Sequence, residues 1–299
     1  MNELPDLESL RCFIHAARLL NFRAAAKAVG LTPAALGQRI RKLEEQLEVQ
    51  LFDRNTRRVV LTQAGLTLLP AAHDALDAAK ECVRAARGLS GPAPMDLVLG
   101  TRHELGLSWV LPMLPNLRES HPGLTFHLYF GSGPDLELRV RSHQIDCAIS
   151  SRRLTDPKLD SFRIHPEHYA FVASPALLEH APLVSIEDAR NHTLVDTHGE
   201  LPLFKYWRDA PGGSDSLSFK KLINMGTIAA IRQLVVSGEG VGVLPLYLVQ
   251  RDLEDGTLTR VMEHVEPSHD WFRLIIRADD PRRALFEDLA GVLQKAPLT

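Results

Sequence analysis

A set of basic and amide side chains, grouped on one helical face and again a few residues downstream, is the part of this sequence best equipped to act on another molecule. In "GLTPAALGQRIRKLEEQLEVQLFDR", Gly30 to Arg54, the residues Leu36, Ile40, Leu43 and Leu47 recur every three or four positions and form one buried helical stripe. At about 100° per residue, Ala34, Gln38, Arg41 and Glu45 fall on the opposite side, flanked by Ala35, Gly37 and Lys42. Small side chains let such a helix end approach a major groove, where Arg reaches guanine or phosphate and Gln reads adenine. Downstream, "DRNTRRVVLT" (Asp53 to Thr62) reads as a short hairpin. Arg54, Arg57 and Arg58 at its base and tip suit phosphates beside that groove.

Local elements must hold these side chains in place. Asn21 caps a helix that begins at Phe22, and "FRAAAKAV" has high helix propensity with small side chains. Gly30 ends that helix in the left-handed conformation, Thr32 caps the next, and Pro33 occupies its first turn. Ala26, Val29, Gly30, Leu31, Leu36 and Ile40 follow the order of small and apolar positions in a helix-turn-helix. The expected DNA-facing set is Asn21, Arg23, Thr32, Pro33, Ala34, Gly37, Gln38, Arg41, Lys42, Arg54, Arg57 and Arg58. A plain helical hairpin with a solvated outer face is the blander reading. A second alternative is a small-molecule-binding protein whose N-terminal helices serve only protein contacts, for which the wing arginines would have no use.

Residues 7–69, carried by "LESLRCFIHAARLLNFRAAAKAVGLTPAALGQRIRKLEEQLEVQLFDR" and "RRVVLTQAG", resemble the N-terminal domain of the LysR-type transcriptional regulators. The resemblance implies sequence-specific DNA binding controlled by a small effector. The family usually has Gln at Pro33, Ser at Gly37 and Gly at Glu48; the first two sit at the DNA-facing start of the recognition helix, so a different base preference is expected. Gly37 inside a helix costs about 1 kcal/mol relative to Ala. It reads either as backbone closeness to DNA or as neutral drift.

Composition agrees with a globular regulator. Residues 1–65 carry 10 Lys+Arg against 7 Asp+Glu, whereas the remainder carries 24 against 30. A basic head on an acidic body confines any polyanion partner to the head. With 299 residues the chain is long enough for two or three cores. Its longest apolar run, "GVGVLPLYLV", is half a membrane span, and "MNELPDLESL" lacks the layout of a signal peptide. No membrane contact and a cytoplasmic location are expected. Cys12, Cys82 and Cys147 are odd in number and far apart, against a disulfide framework or a CxxC metal site. "IDCAIS" makes Cys147 a packed thiol rather than a redox sensor.

From Gln63 to Arg87, with Thr62 as cap and Gly88 after it, Leu69, Ala72, Leu76, Ala79, Val83 and Ala86 form a heptad seam. The seam suits antiparallel packing on a second copy, with packing on the chain's own body as the alternative. The resemblance favours the dimer and implies a tetramer. Pro70 should kink this helix or mark the end of its first turn. "GLSGPAP", Gly88 to Pro94, is the hinge.

Beyond Met95, "MDLVLG" (strand), Trp109–Glu119 (helix), "LTFHLYF" (strand), "DLELRVRSH" (helix) and "IDCAIS" (strand) alternate, as in an α/β domain with a largely parallel sheet. The expected fold is thus α+β and multidomain. A winged helix-turn-helix (1–62) is followed by a linker helix and hinge (63–94) and a two-lobed α/β effector domain (95–299). Lobe I spans about 95–161 and 266–299, and lobe II about 162–265, the helix Pro281–Lys295 returning to lobe I. "LPMLPNLRESHPGLTFHL" and "GVGVLPLYLV" resemble the effector domain of the LysR-type family, which implies the periplasmic-binding-protein fold.

Ligands settle at the carboxyl ends of strands and at helix N-termini. This selects Thr101, Arg102, His103, Gly131, Ser132, Ser150 and Ser151 in one lobe, and Asp196, Thr197, His198 and Thr227 in the other. Thr101 falls where the family often places a ligand-contacting Ser or Thr. Arg102 and a helix start near Thr227 point to a carboxylate or other anion as effector. "NHTLVDTHGE" offers His192, Asp196, His198 and Glu200, the last three sharing one face of a strand. Without further ligands of known spacing it reads as a polar cleft loop, not a metal site. "HPEH" reads as exposed and "SGEGVG" as a tight turn. No GxSxG, Walker loop or Ser–His–Asp order stands out. Neither an enzyme nor a cofactor is expected. The expected partners are an interrupted palindrome of double-stranded DNA, further copies of the chain and an effector, with RNA polymerase as a further candidate.

Overall fold

The computed structural model describes residues 4–54, 59–88 and 94–298, without the side chain of Arg54. By density of contacts the chain divides into two compact units. One comprises Met1–Leu99, His121–Tyr129 and Pro134–Cys147; the other comprises Gly100–Ser120, Phe130–Gly133 and Ala148–Thr299.

The first unit opens with the head. Its helices are α1 (Leu7–Leu19), α2 (Phe22–Ala28) and α3 (Pro33–Leu47), followed by strands β1 (Phe52–Arg54) and β2 (Val59–Leu61) and by the long helix α4 (Gln63–Ala86). Each helix start carries the side-chain acceptor its orphaned amides require. Asp6 accepts the Ser9 amide, Asn21 those of Arg23 and Ala24, Thr32 that of Ala35, and Thr62 that of Gly65. Gly30 adopts the expected left-handed turn, with φ +74°. Phe13, Leu36, Ile40, Leu43 and Leu51 fill the core. Each such side chain contributes about 1.5–3 kcal/mol of burial. Phe52 meets the rings of Phe13 and Phe22 edge-on at 5.7 and 5.4 Å. β1 and β2 pair antiparallel, which gives the expected hairpin its base. Arg57 and Arg58 lie outside the described residues.

The heptad seam of α4 divides. Leu69 and Ala72 are buried in the head core, with Leu76 packed at its edge, so this half of the stripe does not await a partner. Val83 is 50 % exposed, and Ala86 is exposed. Pro70 removes one backbone donor, yet the helix continues through it to Ala86. Of the hinge, only Gly88 and Pro94 are described.

Beyond the hinge come β3 (Met95–Thr101), α5 (His103–Leu105), a wide helical turn (Gly106–Val110) and α6 (Leu111–Ser120), then β4 (Leu124–Phe130), α7 (Gly133–Arg141) and β5 (Cys147–Ser150). The helical run therefore starts before the expected Trp109. Gly106 permits this: a Cβ there would lie 2.4 Å from the Phe130 ring and 2.5 Å from Thr101. Cys147 is fully buried on β5.

Next follow β6 (Leu159–Glu167), β7 (Tyr169–Ala173), α8 (Pro175–His180), β8 (Thr193–Asp196), α9 (Phe204–Arg208) and β9 (Lys221–Asn224). The chain closes with α10 (Ile228–Val236), β10 (Gly242–Pro245), α11 (Leu246–Glu254), β11 (Thr259–Arg260), β12 (Asp270–Arg277) and α12 (Arg283–Lys295). A five-stranded sheet runs β4-β3-β5-β12-β6, a three-stranded sheet β10-β7-β11, and β8 pairs β9 in parallel. Two expectations need correction. β12 pairs antiparallel with both β5 and β6, and β7 with β10 and β11, because the chain returns to each sheet from the opposite end. The lobe boundary expected at 161–162 cuts β6, which stays paired with β12 as far as Glu167.

Candidate functional site

Capping decides which face of α3 is presented. Thr32 and Pro33 fix the first turn, and the burial of Leu36, Ile40 and Leu43 then turns Ala34, Gln38, Arg41 and Lys42 outward. Asn21 and Arg23, at the start of α2, are exposed as well. A Cβ on Gly37 would meet nothing within 4 Å, so packing inside the head does not require glycine there. Arg39, by contrast, is half-buried and reaches the exposed Asp6 at 3.4 Å. Beside Arg41 a groove of about 660 Å³ separates α3 from the wing, lined by Glu45, Gln50, Phe52, Asp53 and Thr62 with Glu44.

Glu44 is a functional candidate that the sequence reading missed. It is buried, and one carboxylate oxygen accepts the Leu51 amide at 2.9 Å and the Phe52 amide at 3.2 Å. A signal was available: Glu44 follows Ile40 by four residues and so falls on the buried stripe.

The effector-site candidates assemble in two groups, both within the second unit. In one, the buried Thr101 accepts the Gly131 amide on its carbonyl at 3.0 Å, and Ser150 lies beside Gly133. Ser150 and Ser151 are buried, whereas Ser132 and His103 are exposed, His103 against the Phe130 ring. In the other group, the carbonyls of Asp196 and Thr197 accept the amides of Met225 and Gly226, bringing them to Thr227, the cap of α10.

Two candidates already have structural work. The Asp196 carboxylate accepts the amides of Thr197, Leu203 and Phe204 and is buried by doing so. β8 ends at Asp196, so His198 and Glu200, both exposed, do not share a strand face with it. Among the described residues no group of three or more His, Cys, Asp and Glu could hold a metal.

Arg102 turns onto the fully buried Glu167, 2.5 Å away, and the Tyr169 hydroxyl donates to the other Glu167 oxygen at 2.8 Å. Tyr206 stacks on Tyr169 at 3.8 Å, and the Arg102 guanidinium lies over Phe272. Burial acts to lower the Arg102 pKa, but the Glu167 carboxylate outweighs it and holds the pKa above the usual arginine value. Burial pushes the Tyr247 hydroxyl upward. Arg102 Nε and the Tyr247 hydroxyl are buried without a partner of hydrogen-bonding geometry.

Comparison with known proteins assigns both parts of the chain. Residues 7–66 match the family described as bacterial regulatory helix-turn-helix protein, lysR family, and residues 90–297 match the LysR substrate binding domain. The HTH-type transcriptional regulator AbaB of Streptomyces antibioticus is 30 % identical over 284 residues, covering 91 % of this chain and 92 % of its own. The glycine cleavage system transcriptional activator of Escherichia coli is 27 % identical over 275 residues, covering 91 % and 87 %. Among solved structures, ArgP from Mycobacterium tuberculosis superposes with a TM-score of 0.74 at 19 % identity, covering 98 % of each chain.

Proposed function

Because the chain belongs to the LysR family of DNA-binding transcriptional regulators, we propose that its exposed α3 face reads the operator while the residues around Thr101 and Thr227 receive the effector. The chain is a regulator with a DNA-binding head and an effector-binding domain, and the relatives named above are regulators rather than enzymes. No helix among the described residues is long and apolar enough to cross a membrane.

One observation carries the reading role. Ala34, Gln38 and Arg41 stand exposed opposite the buried Leu36, Ile40 and Leu43 on α3, whose start Thr32 caps, as Asn21 caps that of α2. Gln38 and Arg41 contact base edges, with Asn21, Arg23, Thr32 and Lys42 beside them. Arg54, Arg57 and Arg58 hold phosphates. The exposed second half of α4 supports pairing with a second copy, and two heads so joined would read an interrupted palindrome. A tetramer and a contact with RNA polymerase belong to the same reading.

For the effector, the support is that strand ends and a helix start gather polar residues: Thr101 holds Gly131, and Asp196 and Thr197 hold Met225 and Gly226 beside Thr227, the cap of α10. An anionic effector draws on the Thr227 end of α10 rather than on Arg102, whose charge Glu167 engages. Effector binding shifts the populations of two arrangements of the body and so the spacing of the heads.

The test compares two arginines on operators recovered from genomic fragments. Arg41→Ala should weaken binding by about 1–3 kcal/mol and relax the base preference. Arg57→Ala should weaken every sequence alike and lower the salt slope by about one. Wild-type binding by both variants would overturn the assignment of the reading face.

A further inference from the structure

The root of the wing is held more firmly than a surface hairpin requires. Glu44, 3 % exposed, accepts the amides of Leu51 and Phe52 on one oxygen. The Leu51 peptide is also held from its other side: its carbonyl accepts the Thr62 amide at 3.0 Å. A Cβ on Gly65 would lie 2.3 Å from that same oxygen, so the first turn of α4 closes directly over it. The Thr62 hydroxyl donates to the Gln50 carbonyl at 2.6 Å. Three consecutive residues leading from the α3–β1 connection into β1 are thereby fixed, Gln50 by the cap of α4, Phe52 by Glu44, and Leu51 by both.

A carboxylate is a costly choice for this position. Burial strips it of water, and it lies beside a surface that, on the reading above, faces phosphate. An apolar residue would simply continue the Leu36–Ile40 stripe and fill the same space. What it would lack is direction, because an anionic oxygen binding two N–H groups fixes the path of the chain that carries them. An apolar residue would also leave those two buried amides unpaired.

We propose that Glu44 is a positioning residue for DNA binding. It holds the root of the wing, Leu51 and Phe52, against the helix that carries Gln38 and Arg41, and through that root supports the phosphate contacts assigned to the wing in the proposed function. This inference rests on the DNA-binding reading of the head.

The experiment measures the affinity of the full-length chain for a labelled random-sequence duplex across a series of KCl concentrations. Glu44→Leu, which keeps the space filled, is measured beside Glu44→Ala, with folding checked by circular dichroism. Either variant should flatten the plot of log affinity against log salt by about one for each phosphate the wing no longer reaches. The flattening should equal that of Arg57→Ala/Arg58→Ala and should not deepen when the three changes are combined. Glu44→Gln, a weaker acceptor, should lie between wild type and Glu44→Leu. A lowered melting temperature with the wild-type slope in every folded variant would overturn the proposal, as would additive flattening in the triple variant. A wild-type chain that bound the duplex without salt dependence would instead overturn the DNA-binding reading itself.

Discussion

In the head, Gln38 and Arg41 stand outward from a helix whose other face is buried. In the body, Arg102 turns inward onto a carboxylate 65 residues away in sequence. The first arrangement follows from local rules: a cap, a proline in the first turn and an apolar stripe fix which side chains a helix presents. The second depends on which strands meet, and no spacing of residues announces it. The two regions should therefore fail differently when single side chains are removed.

The largest effect is expected at Glu167. Glu167→Ala leaves the Arg102 guanidinium facing a site with no anion and should destabilise the body by about 3–5 kcal/mol, toward the lower figure because Arg102 retains some exposure. All three tryptophans, Trp109, Trp207 and Trp271, lie in the body, so urea denaturation followed by tryptophan fluorescence reads this loss. The double change Arg102→Met/Glu167→Leu should recover most of it, since two apolar groups of similar size need no counter-charge. An unchanged midpoint in Glu167→Ala would mean that the ion pair contributes nothing and that the contrast between the regions is one of geometry alone.

This contrast also explains what the sequence disclosed. Helices α2 and α3, their caps at Asn21 and Thr32, the Gly30 turn and the exposed face of α3 were all legible, because each depends on residues within a turn or two of one another. Glu44 was not read, although its position on the buried stripe was visible; its partners Leu51 and Phe52 come from beyond a left-handed turn at Glu48. Arg102 resembles an anion receptor in the sequence because its partner Glu167 lies on a strand whose pairing with β12 has no local signature. Asp196 sits at a strand end, where ligands settle, yet the amides of Leu203 and Phe204 fold back onto it. The antiparallel return of β12 was hidden for the same reason.

The division of α4 sharpens the comparison within one helix. Leu69→Ala opens a cavity in the head core and should cost about 2–5 kcal/mol. Loss of far-ultraviolet circular dichroism should record it, with the tryptophan transition left in place. Val83→Ala, on the exposed half, should leave head stability within about 0.5 kcal/mol of wild type. It should instead shift the dimer equilibrium measured by sedimentation. Equal destabilisation by both changes would mean that the helix is buried along its whole length.

The smallest effects are expected at the caps, where pH separates two residues that geometry treats alike. Thr32→Ala removes the acceptor for the Ala35 amide and should cost about 1 kcal/mol at every pH between about 3 and 7. Asp6 caps α1 with a carboxylate. The Ser9 hydroxyl, more than the Ser9 amide or the Arg39 charge, holds it below the ordinary value of 3.8. A group so depressed stabilises the folded state above its unfolded pKa, and that stabilisation disappears as the pH falls through the folded value. Asp6→Ala should therefore weaken the head at about pH 7 and approach wild type only as the pH falls below the ordinary 3.8 and through the depressed folded value, where both lack the charged cap. Because Asp6 is exposed, the difference should also shrink in high salt. Parallel pH profiles for Asp6→Ala and wild type would show that the cap acts through its hydrogen bonds alone, whatever its charge.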